Sequence, residues 1–326
     1  MGRTDRPGGG GPAMSRPPHV LVVGDVMTDV VVRPEGPPVT GADRRAAIRL
    51  VPGGSGGNQA TWLAHAGVRA TLAARVGAGD LDRHAALFSA AGVAAALAGD
   101  PEAPSGMLVD IVTPDGERSF LTDRGANLRL CRADLADDLL DGVDLVHVSG
   151  YALFEPGPRA AVLDFLAAAR ARGIPASVDP GSVSFLREVG PEAFLAWTAG
   201  FDFGFPNETE AAALAGTDEP AAQFAALCGH WRCVVVKRGA AGAEAGEAAR
   251  GSSSGSGEGS ARPAPRRWRA AAPAAAVVDT TGAGDAFLAG FLAVALAGGG
   301  LDEALTAGCA LGSLATTLVG GRPPAR

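Results

Sequence analysis

Lysine is almost missing from this 326-residue chain: Lys237 stands alone, and every other basic residue is arginine. Such a bias reflects a GC-rich genome rather than chemistry, so the one lysine, inside a Lys-x-Gly segment, hints at a local need for an ammonium group. Positive charge is also outnumbered. Lysine and arginine total 28 against 35 acidic residues, a net charge of −7. Binding a nucleic-acid backbone would need a basic stripe, so that partner is excluded, whereas an anionic nucleotide can still be held by backbone amides and metal ions. Cysteine is sparse. Cys131, Cys228, Cys233 and Cys309 form no Cys-x-x-Cys pair, and Cys228, His230 and Cys233 lack the second ligand pair of a zinc site. A reduced, cytoplasmic protein is expected. No charge-free apolar run reaches the roughly 20 residues of a membrane span, because the Ala/Gly-rich stretch after Asp285 is broken at Gly298-Gly299-Gly300. Residues 1–17, rich in Gly, Pro and Arg, predict a disordered tail rather than a signal peptide, with Met14 as an alternative start.

What is present is an alternating pattern. His19 to Val23 is a short apolar run closed by Gly24-Asp25. Strands are predicted at Val143 to Val148, Ile174 to Val178, Cys233 to Val236 and Val277-Val278, with a helix at Arg159 to Ala171. Strands alternating with helical stretches imply a three-layer α/β/α domain, here 18–326, around a mostly parallel sheet whose ligands sit beyond the strand carboxyl ends. Asp25, Asp179 and Asp279 fall at such ends. Two regions break the rhythm. Residues 28–50 and 105–122 look like hairpins, with turn residues at Pro34-Glu35-Gly36 and Asp115-Gly116. Residues 244–267, containing Ser252-Ser253-Ser254-Gly255-Ser256-Gly257, predict a low-complexity mobile loop.

The most telling motif is Asp279-Thr280-Thr281-Gly282-Ala283-Gly284-Asp285, where glycines precede a carboxylate that opens a long apolar helix. Glycine backbone amides at a helix N-terminus suit an anion. A carboxylate beside that anion repels it, unless Asp285 removes a proton from a hydroxyl that attacks a phosphate. The bland alternative is an acidic first-turn residue of a buried helix. Gly284 is expected to need φ > 0.

Together with Pro52-Gly53-Gly54-Ser55-Gly56-Gly57-Asn58-Gln59, Asn207-Glu208-Thr209-Glu210 and Lys237-Arg238-Gly239-Ala240-Ala241-Gly242, this motif resembles the ribokinase/PfkB family of carbohydrate kinases, in the family's order, from about Pro18 to Gly321. The resemblance implies a ribokinase-like fold in which the hairpin regions form a small β-sheet lid, through which a homodimer would form. It implies Asp285 as general base and the amides of Gly282, Ala283 and Gly284 as an anion hole. Asp29, Gly53, Gly54, Asn58 and Asn127 would face the sugar, and Asn207, Lys237, Gly239 and Gly242 the ATP. Glu210 would reach Mg²⁺ through water, and Asp279 and Thr281 would lie by a monovalent cation such as K⁺. A capping box is an alternative for Asn207 and Glu210 that is compatible with the site role, and a helix cap or a solvated carboxylate would explain Asn58 and Asp29. Two departures narrow the acceptor. Ser149-Gly150-Tyr151 stands where ribokinases carry a Glu, against ribose, and Ser105-Gly106-Met107 lacks the arginine that clamps sugar phosphates. The expectation is therefore an ATP-dependent kinase of a small non-phosphorylated sugar or sugar acid. The alternatives are a nucleoside kinase, for which the lid offers mainly Phe120, and a sugar-binding regulator without turnover, against which the intact motif speaks.

Overall fold

The computed structural model describes residues 16–37, 40–112, 118–248 and 264–324. In chain order the elements are β1 (His19–Val23), β2 (Met27–Pro34), β3 (Ala46–Gly53), α1 (Ser55–His65), β4 (Arg69–Gly77), α2 (Leu81–Ala90), β5 (Ala94–Asp100), β6 (Gly106–Val112) and β7 (Arg118–Asp123). There follow β8 (Leu145–Ser149), α3 (Pro156–Ala171), β9 (Ala176–Asp179), α4 (Val183–Val189), α5 (Pro191–Trp197), β10 (Phe203–Gly204), α6 (Glu208–Ala215) and α7 (Pro220–Leu227). The chain closes with β11 (Cys233–Lys237), β12 (Ala243–Glu247), β13 (Arg266–Ala270), α8 (Ala283–Leu296) and α9 (Leu301–Thr316).

Among the described residues, nine strands form one sheet in the order β13-β12-β11-β10-β9-β8-β1-β4-β5. It is parallel from β5 to β11, and the β12–β13 hairpin adds on antiparallel. The central strand shows why. His19–Val23 is buried throughout, as a strand covered on both faces must be. Val20 and Val22 pack with Trp62, Phe88 and Phe291 from α1, α2 and α8. Leu21 and Val23 join Phe165 and Phe194 of α3 and α5 on the other face. A second sheet, β3-β2-β6-β7, is built from the two hairpin-like regions, with β2 and β6 parallel and the outer pairs antiparallel.

Two expectations need correction. Val277-Val278 is not a strand: the amides of Val278 and Asp279 donate to Thr316 O at 2.8 and 3.1 Å, at the end of α9. The sheet edge such a strand would need, beside β11, is taken by β12. The stretch 244–267 is also not a loop throughout. Its ends are β12 and β13, in register from Ala243↔Ala270 to Glu247↔Arg266, and Glu244 pairs with Arg238 and Arg267 across them. Residues 249–263 and 1–15, where the rest of the loop and most of the tail were expected, lie outside the described residues. Among the described residues no helix is long and apolar enough to cross a membrane.

Candidate active site

The site forms where α1 and α8 present their N-termini to each other beyond the ends of the parallel strands. Gly282 caps α8 in the left-handed region, φ 75°, and a Cβ there would meet Gly321 O at 2.3 Å. Positive φ therefore falls on Gly282, not on Gly284, which lies within the helix. At Gly284 a Cβ would stand 3.3 Å from Lys237 Nζ, so this glycine leaves space beside the one lysine.

Asp285, in the first turn of α8, is gripped at both oxygens. Ser55 Oγ donates to Oδ1 at 2.8 Å, and Asn58 Nδ2 donates to Oδ2 at 3.3 Å. Burial, then the charge of Asp179, pushes the Asp285 carboxyl up to about 7, against the lowering influence of Ser55, Lys237 and Asn58. A carboxylate that titrates near neutrality in a cleft is suited to accept a proton.

α1 is held in place by Asp25, just after β1. Its carboxylate accepts from the amides of Ser55 (3.2 Å) and Gly56 (3.1 Å) and from Ser149 Oγ (3.0 Å). It thus satisfies the orphan donors of the helix start. A glutamate at position 149 would confront this buried carboxylate. Gly54, at φ 86°, turns the chain into α1, where a Cβ would meet Met27 N at 2.7 Å. Gly53 leaves room for Asp29, whose carboxylate a Cβ would overlap at 2.1 Å.

On the other side of the loop, Lys237 Nζ pairs with Asp179 Oδ2 at 2.5 Å. Burial disfavours the lysine's charge, but Asp179 and Glu210 outweigh it and raise its pKa. Asn207 and Glu210 do form the capping box of α6: Asn207 Oδ1 accepts from Glu210 N at 2.9 Å, and Glu210 Oε2 from Asn207 N at 2.8 Å. Glu210 is buried, and burial with the nearby Asp179 pushes its carboxyl up to about 7. The cap and a place at the site coexist, because Asn207 is bridged to Lys237 at the end of β11.

Two cavities share the Asp279–Gly284 loop as a wall. One, of about 600 Å³, is lined by Lys237, Gly239, Gly242, Ala283 and Gly284, with apolar walls from Val277 and Phe287. The other, 260 Å³, lies under the small sheet and is lined by Asp29, Arg33, Arg49, Asp110, Phe120, Asp279 and Thr281. Gly242 has a structural reason of its own: at φ 92° its Cβ would collide with Ala270 O at 2.0 Å.

Three expected residues make side-chain bonds within the chain. Asn127, expected to face the sugar, spends its amide on the chain: Oδ1 accepts from Val26 N at 3.0 Å, and Nδ2 donates to Val26 O and Arg124 O. It braces the entry to the small sheet. Asp279 and Thr281 bond to each other, Asp279 Oδ1 accepting from Thr281 N and Oγ1 at 2.9 and 2.7 Å, while Asp279 Oδ2 accepts from Gly320 N. Among the described residues no cluster of His, Cys, Asp or Glu could hold a metal ion by itself.

Sequence reasoning missed several participants. Ser55 and Gln59 sit inside the glycine motif beside Asn58, where nothing in the pattern sets them apart. Arg33 and Arg49 share the inner face of the small sheet with Asp29, a relation that period two and the pairing Val31↔Arg49 would have exposed. Arg322 gave no signal. It arrives from the C-terminal Gly-Gly-Arg-Pro-Pro stretch to donate to Asn58 Oδ1 at 3.2 Å and Gly53 O at 2.9 Å. The argument from Ser105-Gly106-Met107 also loses force, because Met107 pairs with Thr28 and points to the outer face, away from the cavity.

A three-layer α/β fold with a small second sheet, and a carboxylate at a glycine-rich helix start between two cavities, define a sugar or nucleoside kinase. The chain belongs to the pfkB family of carbohydrate kinases, whose model matches residues 17–326. It is 28% identical to a ribokinase of Arabidopsis thaliana over 94% of this chain and 78% of that one. It is 31% identical to an ATP-dependent ribose-1-phosphate kinase of Halopiger xanaduensis, covering 93% and 94%. The structure of adenosine kinase from Sinorhizobium meliloti superposes with a TM-score of 0.79 at 25% identity, covering 93% and 95%.

Proposed function

We propose that the chain transfers a phosphoryl group from ATP, with Mg²⁺, to a primary hydroxyl of a small non-phosphorylated sugar or sugar acid, with Asp285 as general base. The observation that carries this reading is the placement of Asp285, held by Ser55 and Asn58 at the loop that separates the two cavities.

The larger cavity suits a nucleotide: apolar walls for a base, glycines where phosphates approach, and Lys237 at its end. The buried carboxylates of Glu210 and Asp179 repel each other, a strain that a hard cation with mostly water ligands would relieve. When bound, ATP supplies the phosphoryl group and Mg²⁺ neutralises its charge. The chain supplies the rest. Asp29 orients a hydroxyl of the acceptor, the amides of Gly282, Ala283 and Gly284 stabilise charge developing on the phosphate, and Asp285 accepts the hydroxyl proton. The small sheet acts as a lid that excludes water. A monovalent cation at the Asp279–Thr281 turn belongs to the same reading and is tested by exchanging K⁺ for choline in the assay.

Charge favours the acceptor without phosphate. Among the described side chains lining the smaller cavity, Asp29, Asp110 and Asp279 outnumber Arg33 and Arg49, so a dianion would be repelled more than a neutral or singly charged sugar acid. A nucleoside is the second reading, supported by Phe120 in the same lining and by the adenosine kinase likeness. ADP production with pentoses, hexoses, keto-deoxy sugar acids, nucleosides and sugar phosphates tests both. Best turnover of a sugar phosphate would overturn the first reading, and best turnover of a nucleoside would replace it with the second.

A further inference from the structure

The base has a buried line of support that reaches through the core. Ser55 Oγ, which donates to Asp285 Oδ1 at 2.8 Å, accepts from Gln59 Nε2 at 2.9 Å, one turn further along α1. Gln59 Oε1 lies 3.1 Å from His147 Nε2 on β8, and His147 Nδ1 lies 2.8 Å from Ser177 Oγ on β9. His147 and Ser177 are direct neighbours in the sheet register. Gln59, His147 and Ser177 are each wholly buried, so these groups have only one another to satisfy them.

Chemistry fixes the direction of this chain. An ionised carboxylate only accepts, so the single proton of Ser55 goes to Asp285. Ser55 Oγ must then accept from the Gln59 amide, which turns Gln59 Oε1 toward His147. That carbonyl needs a donor, so the imidazole carries its proton on Nε2, and its bare Nδ1 accepts from Ser177. Burial keeps the ring neutral by pushing His147 down to about 3, with Lys237 acting in the same sense, so it has one proton to place. Turned the other way, Gln59 would face Ser55 with a carbonyl, and one hydroxyl proton would have to serve two acceptors. A protonated Asp285 would still accept at its bare oxygen, but the bond from Ser55 is stronger to the carboxylate, so the chain favours the ionised form.

The geometry points to Gln59 and His147 as positioning residues for the reaction: through Ser55 they hold one oxygen of Asp285 fixed and favour its proton-accepting form. This rests on the reading of Asp285 as base. The other groups facing Asp285 are Lys237 on β11, Asp179 on β9, Tyr151 after β8, and Asn58 with Arg322 from the C-terminal segment. None of them is altered by changing Gln59 or His147.

The test reads the carboxyl itself. In full-length protein labelled with ¹³C at the aspartate carboxyl carbons, the Asp285 signal is identified by its loss in Asp285→Asn and followed against pH. His147→Phe removes the donor that orients Gln59, freeing Ser55 to turn away from the base. The Asp285 midpoint should rise by about one pH unit, the scale of one hydrogen bond to a charged group. His147→Gln keeps an N–H near the position of Nε2 and should hold the midpoint near that of the unaltered chain. Gln59→Met, close in volume, should raise it in the same direction and carries the test if His147→Phe does not fold. An unmoved midpoint in the variants that fold, or equal rises in His147→Gln and His147→Phe, overturns the relay. Turnover of Asp285→Asn near that of the unaltered chain removes the base and the functional reading, whereas an inactive Asp285→Asn with an unmoved midpoint removes the relay alone.

Discussion

At the scale of single residues the site is a balance of charge. Asp285 would be a weak base if its carboxyl were ordinary, and a useless one if burial kept it protonated at neutral pH. Burial and Asp179 raise it while Ser55, Lys237 and Asn58 lower it, leaving it at about 7. In the proposed role the ionised form accepts the proton, so activity should be present above that value and lost below it. kcat/KM should fall close to tenfold per pH unit below about pH 7, the slope of a single essential group. Asp285→Asn should lower kcat by about two to four orders of magnitude, the usual effect of removing a proton acceptor. Its affinity for ATP, measured by calorimetry, should stay close to that of the unaltered chain, because the cavity lined by Lys237 and Gly284 is untouched. Turnover of the Asn variant within a few-fold of the unaltered chain would remove Asp285 from the base's role.

At the scale of elements, the start of α8 separates two kinds of glycine that look alike in sequence. Gly282 holds φ 75° and abuts the carbonyl of Gly321. Gly282→Ala therefore costs about 1–2 kcal/mol in backbone conformation alone and displaces the segment that carries Arg322. Gly284 lies within α8 without a positive φ, and its nearest neighbour is the ammonium of Lys237, paired with Asp179. In Gly284→Val the fold can adjust, while the lysine and an incoming phosphate cannot share the space. Gly282→Ala should lower Tm clearly, and Gly284→Val should lower activity far more than Tm. The reverse pattern in melting and kinetic assays would show that the roles are exchanged.

The same elements show what the sequence makes legible. Strands buried on both faces, such as His19–Val23 and Cys233–Lys237, betray themselves as short apolar runs, and the glycine motifs mark where helices begin. Val277-Val278 carries the same local signal without being a strand, because the amides of Val278 and Asp279 go to Thr316 O at the end of α9, a contact set by the whole arrangement. The hairpin β12–β13 was hidden in reverse: alanine, glycine and arginine give a weak strand signal, and pairing with β11 supplies what propensity does not. Contacts between distant segments left the faintest trace. Nothing in Gly-Gly-Arg-Pro-Pro announces that Arg322 will lie against Asn58, and nothing in β8 announces that His147 will stand behind Asp285.

At the scale of the whole molecule, the small sheet has two faces of opposite character. Its inner face carries Asp29, Arg33, Arg49 and Asp110. Its outer face, by the strand register, carries Val30, Val32, Ile48, Leu50, Met107, Val109 and Leu121. Ile48, Leu50 and Leu121 are more than half exposed, at 62%, 69% and 63%. A contiguous apolar face of this kind marks an interaction surface, and the proposed partner is a second copy of this chain. Two such sheets laid face to face would form a sandwich core like those of other packed sheets. Light scattering after size exclusion should therefore report a dimer for the unaltered chain. Leu50→Asp points outward and touches neither cavity, so it should leave circular dichroism unchanged while shifting the mass to that of a monomer, since a charge buried in the interface would go unpaired. A monomer before the substitution, or a dimer that survives it, would show that the outer face is not where the copies meet.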